Sequence, residues 1–156
     1  MEFPSACLYY LVTRTSLVTT NVLRRELAEG GVGAVRPAYL GVLWTLCKQE
    51  GLKSSELGRA AGLEPSSMTG LLDRMERDGL VRREPDPEDR RAQRLSLTDR
   101  GRRLEAAVTE VVSRVLDELT GDLEPEEIET VKRVLGRIIS AGAGPAAGGG
   151  RNGGGR

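Results

Sequence analysis

The chain has no histidine, only two cysteines and few aromatic residues: three tyrosines, one tryptophan and one phenylalanine among 156 positions. The missing histidine removes the commonest general base, the usual metal ligand, and every Ser-His or Cys-His nucleophilic arrangement. Cys7 and Cys47 are far apart with no CxxC spacing, which argues against a disulfide framework or a zinc site. Apolar runs are short. None approaches the length needed to cross a bilayer, and residues 8–12 are too few for a secretory signal core. A cytoplasmic protein with no membrane, metal or cofactor partner is therefore expected. An enzyme built on carboxylates alone could look to Glu124, Glu126 and Glu127, but acids around a proline are what the start of a helix prefers. No catalytic residue is assigned.

Length and composition fit one ordinary domain with extensions. Lys plus Arg and Asp plus Glu balance at 23 each, yet the charges are not spread evenly. Residues 74–103 carry ten arginines against seven acids, whereas residues 104–130 carry nine acids against one arginine. Whole-surface attraction to nucleic acid should therefore be weak, and a local basic footprint is allowed.

Apolar spacing predicts a helix over residues 8–29 with Leu8, Leu11, Val12, Val18 and Val22 along it, stopped by Gly30-Gly31. A second, strongly apolar helix starts at Pro37, carries Tyr39, Leu40, Leu43, Trp44, Leu46 and Cys47, and stops at Gly51. Ser54-Ser55-Glu56 offers caps for a short helix that Gly62 breaks. Pro65-Ser66 then opens another, whose Met68, Leu71, Leu72 and Met75 fall at i, i+3, i+4 and i+7. Two short helices joined by a tight glycine turn make a helix-turn-helix. Residues 80–83 and 95–97 read as strands around a turn-rich loop, a hairpin that turns the helix-turn-helix into a winged helix.

The apolar stripe of the second short helix leaves Ser66, Ser67, Thr69, Gly70, Asp73, Arg74 and Arg77 facing outward. Small hydroxyls near the N-terminal end with arginines beyond suit a helix lying in a DNA major groove. The hairpin tip reads DPEDRRAQ, residues 86–93. An arginine there can enter a narrow minor groove, and a neighbouring carboxylate can hold a guanidinium in a planar grip; Arg91 is read as the inserting residue, Arg90 as its neighbour, and Asp89 as the orienting one.

Thr98 caps a long helix with Leu104, Val108, Val111, Val115 and Leu119 on one side, ended by Gly121. A last helix begins near Glu124-Pro125 and places Ile128, Val131, Leu135 and Ile138 at near-heptad spacing. These helices offer more apolar surface than one such domain can cover, so a second copy of the chain is the expected cover. From residue 141 the chain is glycine-rich and almost without large apolar residues, a composition that predicts disorder. The expected organisation is thus an N-terminal dimerisation helix and linker (1–36), a winged helix-turn-helix (37–100), C-terminal dimerisation helices (101–140) and a tail (141–156). The fold class is mainly α with a small β-hairpin wing.

The run LLDRMERDGLVRR (71–83) through DRRAQRLSLTDRG (89–101), with PAYLGVLWTL (37–46) and SSELGRAAGLEPSSMTGLLDRM (54–75) before it, resembles the multiple-antibiotic-resistance-regulator (MarR) family of bacterial transcription factors. The resemblance covers roughly residues 8–140. It implies a homodimeric DNA-binding regulator, a repressor or an activator, each lobe reading half of an inverted repeat in double-stranded DNA with recognition helix 65–78 and wing 84–95. Ser66, Ser67, Thr69, Gly70, Arg74, Arg77, Asp89, Arg90 and Arg91 are the implied DNA-binding residues. Gly70 stands where many relatives carry a longer, often basic residue. Many relatives are released by a small aromatic or phenolic effector. Tyr10, Arg14, Tyr39 and Trp44 could line an effector cleft or serve as core and dimer contacts, and no effector residue is assigned. Two alternatives stay open: a peroxide-sensing regulator using Cys7, and a winged-helix protein-interaction module without an operator of its own. Cys47, inside the apolar helix, is expected to be buried and inert.

Overall fold

The structure, a computed structural model, describes residues 7–89 and 91–142. The chain divides into two compact units, Met1–Glu118 and Leu119–Arg156. Helix α1 (Leu8–Glu29) leads to a 3-10 turn (Pro37–Tyr39) and α2 (Leu40–Lys48), then β1 (Leu52–Lys53), α3 (Ser54–Ala61), α4 (Pro65–Arg77), β2 (Val81–Pro85), β3 (Gln93–Leu97), α5 (Asp99–Thr120) and α6 (Pro125–Gly142). The strands form one antiparallel sheet in the order β1-β3-β2. Mainly helical with a small sheet, this is the winged-helix architecture expected from the sequence. The sheet has one strand more than the hairpin: Leu52 and Lys53 pair with Leu95 and Arg94. Two residues are too few to show a period, so β1 is set by its partner.

The core of the first unit gathers around α2. Tyr39, Val42, Leu43 and Leu46 are fully buried, together with Leu57, Met75, Leu80 and Leu97. Each buried aliphatic side chain contributes about 1.5–3 kcal/mol of transfer free energy. In α4 the buried residues are Met68, Leu71, Leu72 and Met75, the stripe that the spacing predicts. The two helices of the motif approach closely because Gly58 has no side chain; a Cβ there would lie 3.1 Å from Met68 Cγ. Gly62, at φ +68, makes the turn between them, and the Leu63 amide bonds back to the Gly58 carbonyl at 2.8 Å.

Three local expectations need correction. The segment opened by Pro37 begins as a 3-10 turn, and the α-helix starts only at Leu40. Ser54 and Ser55 make no cap bond. Instead Glu56 reaches back to accept the Lys53 amide at 2.9 Å, half of a capping box. In α1 only Leu23 and Leu27, one turn apart, are buried. Leu8, Leu11, Val12 and Val18 are exposed and Val22 is half-buried, because only the C-terminal end of this helix meets the core.

The start of α5 is fixed as foreseen. Thr98 Oγ1 accepts the Gly101 amide at 3.0 Å and donates to the Gly79 carbonyl at 2.7 Å, tying the end of the hairpin to its beginning. Val108, Val111 and Val115 then lie buried in the core. In the second unit, Glu127 accepts the Glu124 amide at 2.9 Å at the head of α6. None of the residues of α6 is buried, and Leu119, Leu123, Val131, Val134, Leu135, Ile138 and Ile139 are exposed. The helix runs on to Gly142, two residues past the predicted boundary; the tail expectation for 143–156 lies outside the described residues. Among the described residues no helix is long and apolar enough to cross a membrane, and no group of His, Cys, Asp and Glu could hold a metal ion.

Candidate nucleic-acid interface

Burial of the 68-71-72-75 stripe decides what α4 shows to solvent. Ser66, Ser67, Thr69 and Arg77 are exposed, and Gly70 and Arg74 are half-buried. Pro65 occupies the first helical position, where its missing amide costs nothing. The arginine four residues after Gly70 folds back over it: a Cβ at Gly70 would meet Arg74 Nη1 at 3.4 Å. Beside the first turn of α4 runs an open groove whose lining includes Ser54, Ser55, Arg59 and Thr69. Ser54, Ser55 and Arg59 belong to α3, and only the fold brings them next to the predicted residues.

The C-terminal end of α4 is anchored from below. Tyr39, wholly buried, donates its hydroxyl to Asp78 Oδ2 at 2.8 Å. Burial, then the Asp78 hydrogen bond, pushes the Tyr39 phenol above its ordinary pKa. Tyr39 is therefore a core residue bracing α4. Trp44 donates its indole N–H to Thr109 Oγ1 at 3.1 Å, linking α2 to α5. Tyr10 and Arg14 are exposed on α1.

The hairpin pairs Val81 with Leu97 through Pro85 with Gln93. At its tip Arg91 is exposed, with no carboxylate on its guanidinium among the described residues. Asp89 Oδ1 accepts the Arg91 backbone amide at 3.0 Å, so it shapes the turn and does not grip the guanidinium. Arg90 lies outside the described residues. The carboxylate that does hold a guanidinium is Asp86, only 2% exposed. Its Oδ1 accepts the amides of Glu88 at 2.8 Å and Asp89 at 3.2 Å. Its Oδ2 accepts Arg94 Nε at 3.0 Å and pairs with Lys53 Nζ at 3.4 Å. The Glu88 amide, aided by Arg94 and Lys53 and opposed by burial, lowers the Asp86 pKa to about 2. Asp86 thus nails the wing loop to β3 and β1 at once. The signal was present as Asp followed by Pro, a turn-opening pair, but its cationic partners lie 8 and 33 positions away.

One expectation about the thiols is overturned. Cys47 is exposed, as is Cys7. Leu40, Val42, Leu43 and Leu46 are the buried residues of α2, and Cys47 stands one residue before the helix ends at Lys48. Cys47 Sγ lies 3.5 Å from Glu105 Oε2. Burial, then that carboxylate, pushes the thiol up from its usual value, which opposes thiolate chemistry.

A helix with a polar outer face, a braced hairpin with an exposed arginine at its tip, and a third strand closing the sheet are the parts of a winged-helix DNA reader. Residues 37–92 match the sequence model of the MarR family. The transcriptional regulator HosA of Escherichia coli O111:H- is 32% identical over 106 residues, spanning 68% of this chain and 78% of HosA.

The chain belongs to the MarR family.

As a MarR-family protein it is a transcriptional regulator and not an enzyme. Solved MarR-type folds align over most of it. A structure of the transcriptional repressor CouR bound to a 23-mer DNA duplex is 29% identical, with a TM-score of 0.78 over 86% of this chain and 93% of CouR. The PcaV regulator of Streptomyces coelicolor, in complex with its natural ligand, shares the fold with a TM-score of 0.82 and 21% identity over 91% and 98% of the two chains. CouR of Rhodococcus jostii RHA1 bound to p-coumaroyl-CoA is 26% identical, with a TM-score of 0.75 over 89% and 96%.

Proposed function

We propose that this protein is a homodimeric, cytoplasmic repressor that reads an inverted-repeat operator and lets go of it when a small aromatic or phenolic effector binds. Helix α4 enters the major groove with Ser66, Ser67, Thr69, Gly70, Arg74 and Arg77, and the wing lays Arg90 and Arg91 against the adjacent minor groove, its turn shaped by Asp89. Residues 1–36 and 101–140 form the dimerisation parts on either side of the reading domain 37–100. The observation that carries the reading is the exposed Arg91, without a carboxylate partner among the described residues, at the tip of a wing braced by the buried Asp86, beside a recognition helix with a hydroxyl-rich outer face. A relative at 29% identity, CouR, holds a DNA duplex, and CouR also binds an aromatic acyl thioester, p-coumaroyl-CoA. The exposed apolar residues Leu8, Leu11 and Val12 of α1, and Val131, Leu135 and Ile138 of α6, support a second copy as their cover.

Two α4 helices set about 34–36 Å apart would meet successive major grooves, and an effector acts by changing that separation or tilt. Selection of bound duplexes from a random pool tests this, with enrichment of an inverted repeat expected. Arg91→Ala should then weaken binding to the selected duplex about tenfold, a loss of about 1.4 kcal/mol, with unchanged circular dichroism. Equal affinity of the variant and wild type at matched salt would remove the wing from the interface.

A further inference from the structure

The two arginines at the centre of β2 point to opposite sides of the sheet, as strand alternation requires, and they have different surroundings. Arg82 is exposed and pairs with Glu84 on its own strand at 3.3 Å. Arg83 is half-buried and turns to the recognition helix. Its Nη2 donates to Asp73 Oδ1 at 2.6 Å and its Nη1 to Glu76 Oε2 at 2.6 Å. Asp73 and Glu76 are three residues apart on α4, one turn of a helix, and Arg74 and Arg77 follow each of them in sequence. One planar guanidinium therefore spans two carboxylates, using both prongs of its fork. An exposed single ion pair contributes little. This arrangement differs because it joins two elements, shields the arginine, and engages both of its terminal nitrogens.

The consequence concerns DNA. Two carboxylates on the outward side of α4 would stand among the residues meant to approach phosphate, where like charge opposes binding. Arg83 ties both toward the sheet. Across the hairpin, Arg83 pairs in register with Leu95, one residue from Arg94, the arginine that grips Asp86 at the base of the wing loop. The sheet thus spends Arg83 and Arg94 inside the protein, and leaves Arg91 at the tip without a carboxylate among the described residues. We propose that Arg83 is a positioning residue for operator recognition: a two-pronged clamp that holds α4 at a set angle to the wing and keeps Asp73 and Glu76 off the DNA. This rests on the reading of α4 and the wing as the DNA-contacting surface.

The test measures binding of the full chain to its selected duplex and to a scrambled duplex by fluorescence anisotropy, over a series of salt concentrations. Wild type is compared with R83A, R83K, D73N/E76Q and the triple variant R83A/D73N/E76Q. The clamp predicts that R83A loses about tenfold in affinity for the selected duplex, the worth of about one base contact. Binding to the scrambled duplex should fall by less than binding to the selected one, because freed carboxylates repel any phosphate while only the selected duplex also loses the set angle of α4. R83K, which keeps the charge but not the fork, should recover only part of the loss and serves as the folded comparison should R83A unfold. In the D73N/E76Q background, R83A should cause no further loss, because the clamp is already open. An equal loss on both duplexes with the salt slope reduced by about one would instead make Arg83 a direct phosphate contact and overturn the proposal. An unchanged preference for the selected duplex in R83A would overturn it too. Failure of the DNA reading shows differently: wild type itself would enrich no duplex, and the clamp would have nothing to position.

Discussion

Alanine at Gly101 is a one-methyl change whose effect follows from the close approach of two chain segments. Gly101 is buried in the first turn of α5, and a Cβ built there overlaps the carbonyl oxygen of Leu80, lies 3.1 Å from the carbonyl carbon and 3.4 Å from Leu97 Cδ2. A backbone oxygen cannot swing aside as a long side chain can, so the peptide after Leu80 must retreat by about an ångström, an overpacking cost of about 1–3 kcal/mol. That same oxygen accepts the Thr98 amide at 3.0 Å, and loosening this bond adds about 1 kcal/mol. Alanine's better helix propensity returns about 1 kcal/mol. The expected net loss is about 1–3 kcal/mol, or about 3–10 °C in Tm for a chain of this size. Urea unfolding followed by circular dichroism, at one protein concentration because self-association would link stability to concentration, measures it. Gly136→Ala supplies the opposite sign. Gly136 lies inside α6 with nothing within 4 Å of a built Cβ, so only the propensity gain of up to about 1 kcal/mol remains. A Gly101→Ala protein as stable as wild type would refute the steric reasoning, and equal effects at both glycines would refute the distinction between them.

Three further outcomes follow from the site. Asp86 has its carboxyl lowered from 3.8 to about 2, so its support of the wing is complete above pH 3.8 and is lost as pH falls through about 2; a carboxyl resonance of Asp86 titrating at or above the ordinary value would contradict the four-donor geometry. Asp86→Asn, which loses the charge that Arg94 and Lys53 meet, should loosen the wing and weaken duplex binding at neutral pH while the helices keep their circular dichroism. Tyr39→Phe leaves Asp78 without its 2.8 Å donor and should cost about 1–2 kcal/mol in urea unfolding; no loss would mean that water replaces the hydroxyl at no cost.

Much of the fold was readable because it rests on short-range patterns. The 68-71-72-75 stripe of α4 has a helical period, the glycines at 62 and 79 take the positive φ that ends each helix of the motif, and Thr98 stands where a cap is needed. The outward residues of α4 then follow as the complement of the stripe. The misreadings have an equally physical origin. An apolar helix suggests a buried Cys47, but Cys47 sits at the end of α2 beside the wholly buried Leu46, and composition does not say where along a helix the packing stops. The apolar residues at the start of α1 have the right composition for burial, and nothing local says that the core ends at Leu23.

What the residue order determined by itself, then, was each element and its apolar side, since helix and strand periods, caps and glycine turns act over a few neighbouring positions. Only the tertiary structure decided which charges work inside the protein and which are left for a partner. Asp86 meets Lys53 and Arg94, Arg83 meets Asp73 and Glu76, and Asp89 meets a backbone amide. Charged side chains act over a few ångströms of space, and the pairing of β1 with β3 and the packing of α4 against β2 bring together groups that are up to 33 positions apart in the chain.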